Sequence, residues 1–155
     1  MQICKFKAGI ITSIFLFSSV LLYNVLDVAA HSGAKGVVKM RMDTMKSIGA
    51  QMKKMSAIVK DPSMFDAKLV SSTAKELTQH AAKIPDLFPK GTNQKPSEAK
   101  NEIWSDWDKF LAISNELKQS AAELQQANAE TFKPTFLKAA KTCTTCHQVF
   151  RKKNN

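Results

Sequence analysis

Residues 97–127 read SEAKNEIWSDWDKFLAISNELKQSAAELQQA. Within them Ile103, Trp107, Phe110, Ser114, Leu117, Ala121 and Leu124 recur at alternating spacings of four and three. A helix turns once in about 3.6 residues, so this rhythm returns every one of those side chains to a single stripe. Such a seam packs against other helices at a shallow angle. Pro96 stands just before it, and Ser97 is the predicted cap. Upstream, Val70, Ala74, Leu77, Ala81 and Ile84 keep the same rhythm through a second helix predicted over 65–84, which Pro85 ends. PDLFPKGTNQKP at 85–96 is then the long loop. A first helix over 34–59 places Val38, Met42, Met45, Gly49, Met52 and Val59 on one stripe, and Asp61-Pro62-Ser63 breaks it. Downstream, residues 128–131 form a second break. A fourth helix follows, with Phe132, Phe136, Ala139 or Ala140, Cys143, Cys146, His147 and Phe150 on neighbouring faces. Pro134 is expected to be tolerated there as part of the first turn. No strand-like alternation competes. Short connections between long helices make successive helices antiparallel, so the expected fold class is all-α, an antiparallel up-down-up-down four-helix bundle.

The first thirty residues stand apart. Lys5 and Lys7 precede an apolar run over 8–26, and Val28-Ala29-Ala30 offers small residues before His31. This is the pattern of a secretory signal peptide. The run is nearly long enough to serve instead as a membrane anchor, but Thr12, Ser13, Ser18, Ser19 and Asn24 weaken a span. The expected division is therefore a signal peptide at 1–30 and a bundle at 31–155. Cleavage would remove Lys5, Lys7 and Asp27, and the formal charge of +10 would fall to +9. An exported basic protein whose lysines are scattered along helical faces points to acidic protein partners, with no nucleic acid and no stable membrane association. Cleavage also removes Cys4, which leaves Cys143 and Cys146 as the mature cysteines. In an oxidising compartment an unpaired third cysteine would be out of place.

Cys143-Thr144-Thr145-Cys146-His147 is a Cys-x-x-Cys-His motif. On a helix, positions i, i+3 and i+4 share a face. Two thiols so placed can add to the two vinyl groups along one haem edge, and the imidazole beside them can reach the iron. The same residues fit other chemistries less well. A thioredoxin-like dithiol belongs near a βαβ unit, which this helical pattern lacks. A structural zinc site needs a second ligand pair. A disulfide across so small a ring stabilises little and leaves His147 without a role. Neither a catalytic acid–base pair nor a nucleophile with its base is evident. Five glycines with no Gly-rich turn exclude a phosphate-cradling loop. No enzymatic activity is expected. His80 reads as a partly exposed surface residue, Trp107 as core, and Trp104 as packing toward the haem or loop side.

A carboxy-terminal Cys-x-x-Cys-His on the last helix of a four-helix bundle resembles the cytochrome c' family, the class II c-type cytochromes. VVKMRMDTMK, KIPDLFP, EIWSDWDKF and CTTCHQVFRKK carry the resemblance across the mature chain. It implies one covalent haem c on Cys143 and Cys146, with His147 as proximal iron ligand. It also implies a basic residue four after that histidine, which Arg151 matches. In this family the distal residue stands four after a basic residue of the first helix. Arg41 is followed in that way by Met45. Periodicity alone turns both Met42 and Met45 inward, and methionine is an ordinary core filler; the family pattern singles out Met45. The chain thus resembles the low-spin, methionine-ligated branch. The expectation is a one-electron carrier in the periplasm of a Gram-negative bacterium, serving redox proteins with acidic docking surfaces. Homodimers are frequent in the family. The alternative is a high-spin, five-coordinate protein that binds nitric oxide or carbon monoxide.

Overall fold

The computed structural model describes residues 33–153. The proposed signal peptide, and His31 after it, lie outside the described residues. Among the described residues five α-helices follow one another: α1 (Gly36–Lys60), α2 (Ala67–Ala82), the single turn α3 (Glu102–Ser105), α4 (Trp107–Leu124) and α5 (Ala129–Phe150). The long helices α1, α2, α4 and α5 form the four-helix bundle, and α3 leads into α4. The heaviest packing is of α2 and α5 on α4, then of α1 on α2. Between α1 and α5 the packing is thin.

The α2 and α4 stripes are buried as their spacing predicts, except at Trp107, which is half-buried against the core. Val70, Ala74, Leu77, Ala81 and Ile84 face Ile103, Phe110, Leu117, Ala121 and Leu124 across the core. Met55 fills the α1 side with no exposed surface. At one end of the bundle the Phe110 ring meets Phe88, Trp107 and Phe150 at 4.9, 5.3 and 5.5 Å between centroids. At the other end Phe65 meets Phe132 edge-on at 5.7 Å.

Four sequence expectations need correction. The buried face of α1 carries Arg41, Ile48, Gln51, Met55 and Ile58. It lies about one residue around the helix from the Met-rich stripe, whose Met42, Met45 and Met52 are half-buried and whose Gly49 is exposed. Two of those buried positions are polar, so counting apolar residues drew the stripe toward the methionines. Ser97 does not cap a helix. Its hydroxyl accepts from Arg41 at 2.8 Å and from the Ala99 N–H at 3.2 Å. Helix begins later, at Glu102, and is interrupted at Asp106, which takes φ −126° and ψ 53°. The second break is over by Asn128, which with Thr131 forms a capping box for α5. Pro134 lies inside α5, past the first turn. It leaves the Glu130 carbonyl without its helical donor, at an exposed position where water serves.

Candidate functional site

The site is built on α5. The Asn128 side chain accepts from the Glu130 and Thr131 N–H groups at 3.1 and 2.9 Å, and Thr131 Oγ1 accepts from Asn128 N–H at 3.0 Å. This fixes where the helix starts and therefore the phase of everything after it. From there Phe132, Phe136 and Ala139 are buried in turn, and Phe150 is buried at the far end. Cys143 and Cys146 continue the same stripe between them, yet both are only half-buried. Protein covers the core-facing stripe of α5 on either side of the two sulfurs and thins over them. His147 is exposed beside them.

Chemistry at the three positions is that of neutral donors. Both cysteines are free thiols. Burial pushes the Cys143 thiol above its ordinary value. Burial, with the neighbouring Cys143, pushes Cys146 up to about 11. Burial thus disfavours the thiolate at both, the opposite of the lowered thiol that a dithiol-redox motif uses. Among the described residues no group of three or more His, Cys, Asp or Glu side chains is placed to hold a metal ion, so a zinc tetrahedron is not assembled here. The His147 imidazole is held below its usual range, first by partial burial and then by Arg151, with Glu98 opposing. Both influences favour the neutral imidazole, whose ring nitrogen has a lone pair to offer. Two neutral thiols one turn apart, a neutral imidazole beside them and thin protein cover fit a flat apolar macrocycle attached along one edge.

Met45 sits on α1, half-buried and packed against the core, as Met52 is. Met42 is half-buried too but is not among the side chains packed on the core. Of the two methionines that periodicity left open, the structure turns Met45 toward the interior. The helices that carry Met45 and the cysteine motif, α1 and α5, pack thinly against each other.

One turn before Met45, Arg41 is buried, with 5% of its surface exposed. Its Nε donates to the Leu87 carbonyl at 2.9 Å. One terminal nitrogen donates to Thr92 O at 2.9 Å and Ser97 Oγ at 2.8 Å, and the other to Thr92 Oγ1 at 2.6 Å. The guanidinium lies over the Phe88 ring, 4.1 Å from its centroid. Gly91, at φ 80°, makes the left-handed turn just before Thr92. Arg41 therefore binds the 85–97 loop to α1, a role its sequence position did not announce. Trp104 meets the same loop, its indole N–H donating to Phe88 O at 2.8 Å. His80 is half-buried on α2, bordering a polar groove with Gln51 and Glu76.

Arg151 caps α5, its N–H donating to the His147 carbonyl at 3.1 Å. Its Nε donates to Glu98 at 2.6 Å. Glu98 and Lys100 went unnoticed in the sequence, where residues 97–101 read as the start of a helix. A pairing across fifty-three residues leaves no local signal.

The family model described as Cytochrome C' matches residues 36–151. A cytochrome c-556 of Agrobacterium fabrum is 36% identical over 124 residues, covering 77% of this chain and 84% of that protein. A cytochrome c' of Pararhodospirillum photometricum is 32% identical over 119 residues, covering 74% of this chain and 94% of that one. The solved structure of cytochrome c' from Rhodopseudomonas palustris superposes with a TM-score of 0.73 at 25% identity, covering 79% of this chain and all of the other.

Proposed function

The chain belongs to the cytochrome c' family of haem c proteins, and from that premise we propose that Cys143 and Cys146 form the thioether links, with His147 as proximal and Met45 as distal ligand. On this reading the protein is a one-electron carrier, exported to the periplasm by cleavage after residue 30 and exchanging electrons with acidic redox proteins. Bound haem supplies the one-electron couple of its iron. The residues of this chain do the rest. His147 offers a neutral nitrogen without first losing a proton. Met45 offers a thioether, a soft ligand that requires no deprotonation at all. Phe110 and Phe150 meet edge-on in the core at the end of α5 that follows the motif, and Arg41 holds the 85–97 loop against α1. A carrier gains speed when its ligands serve both oxidation states with little rearrangement.

The observation that carries this reading is the α5 stripe, where Cys143, Cys146 and His147 stand within one turn of each other and protein cover thins. Acid denaturation followed by organic extraction tests it. Haem is expected to stay on the wild-type polypeptide and to wash off the double variant Cys143→Ala, Cys146→Ala. Haem that is extracted from wild type would overturn the attachment. Arg41 and Arg151 enter the proposal as residues that shape the site's surroundings, through the loop and through the end of α5.

A further inference from the structure

Residues 97–101 are bound to the end of α5 by more than one ion pair. Lys100 N–H donates to Phe150 O at 3.0 Å and Lys152 N–H to Glu98 O at 2.8 Å, around an antiparallel bridge between Ala99 and Arg151. The Lys100 ammonium donates to Val149 O at 3.1 Å. Within this clamp the Glu98 carboxylate meets Arg151 Nε at 2.6 Å, one helical turn beyond His147. We propose that Glu98 is a positioning residue for the proximal side of the haem: held by the clamp, its carboxylate fixes the Arg151 guanidinium, and the pair sets the reduction potential. The inference rests on His147 being the proximal ligand, as proposed above.

The argument is electrostatic. Both side chains are substantially exposed, 49% for Arg151 and 35% for Glu98. An ion pair in that setting adds little to folding stability. The backbone links already join the two segments, so the ion pair is not needed as a fastener. Arg151 stands one helical turn beyond His147, its N–H on the His147 carbonyl at 3.1 Å, and Glu98 meets its guanidinium at 2.6 Å. Each is therefore within electrostatic reach of the ring. Reduction adds one electron to the iron site and moves no other charge. A neighbouring carboxylate stabilises the oxidised form, and a guanidinium the reduced one. The two contributions oppose each other, so removing one charge shifts the balance toward the other.

Redox titration of the mature holoprotein against dissolved mediators tests this, alongside circular-dichroism melts and a haem spectrum after denaturation. Glu98→Gln is expected to raise the midpoint potential and Arg151→Gln to lower it, each by a several-fold change in the reduction equilibrium. The shifts should shrink at high salt. Opposite signs are the signature, since a loosened fold would move both variants the same way. Glu98→Asp keeps the charge and should stay near wild type. Shifts of the same sign, no shift in either variant, or a Glu98→Asp shift as large as that of Glu98→Gln would each overturn the inference while leaving the haem assignment intact. A wild type without covalent haem would overturn the underlying reading instead, and this inference with it.

Discussion

At the scale of single residues, Met45 decides what kind of haem protein this is. It follows buried Arg41 by one turn and packs against the core from α1. On the proposed reading, a thioether delivered there would close the sixth position and exclude small gases. The wild type is expected to be low-spin in both oxidation states and to bind carbon monoxide poorly. Met45→Ala should turn high-spin and bind carbon monoxide readily while keeping covalent haem and helical content. Met42→Ala should leave the optical spectrum unchanged. A high-spin wild type would replace electron transfer with gas binding as the reading of the site. Arg41 makes a different prediction. Arg41→Met removes the donor to Leu87 O, Thr92 O and Thr92 Oγ1 and one of the two donors to Ser97 Oγ, a loss on the order of 2–4 kcal/mol, read as a lower urea midpoint. Covalent haem should be unaffected. The cysteine motif was legible because its chemistry is local and compressed into five residues. Arg41's bonds to the loop and Glu98's bond to Arg151 join residues far apart in the chain, and no periodicity reports such partners.

At the scale of elements, helices were legible where burial and hydropathy agree. On α2 and α4 the buried positions are mainly apolar, so the four–three spacing names the core face directly. On α1 they disagree, because Arg41 and Gln51 are buried while Met40 is 59% exposed. There the same method turned the helix by about a residue. Boundaries were least legible where side chains bind loops instead of capping helices, as Ser97 does. The Asn128–Thr131 cap starts the helix that carries Cys143, Cys146 and His147. Asn128→Ala removes the acceptor for two N–H groups and is expected to cost about 1 kcal/mol. Chemical denaturation should show a lower midpoint with an unchanged slope. The haem spectrum should not move, because α5 is held along its length by Phe132, Phe136 and Ala139.

For the whole molecule, charge outweighs any individual pair. The chain carries 23 Lys and Arg against 13 Asp and Glu. The ion pairs Lys39–Asp43, Lys109–Asp106 and Lys138–Glu123 are exposed, so they contribute little to stability and leave the excess cations facing solvent. On the exposed side of α5, Lys133 and Lys141 flank Leu137, an apolar side chain 51% exposed. A surface of this kind accelerates encounter with a negatively charged partner, because the field orients the pair before contact. Screening removes that advantage once the Debye length, about 10 Å at 0.1 M salt, falls below the separation of the approaching surfaces. Electron transfer with an acidic redox protein should therefore slow steeply as salt is added. With a basic redox protein of similar potential it should speed up, because there screening relieves repulsion. Stopped-flow rates across an ionic-strength series check both arms. The midpoint potential measured alongside must change too little to explain the rates. A rate with the acidic partner that ignores salt would remove charge-guided docking and leave the haem site untouched, since nothing in the attachment at Cys143, Cys146 and His147 depends on the long-range field.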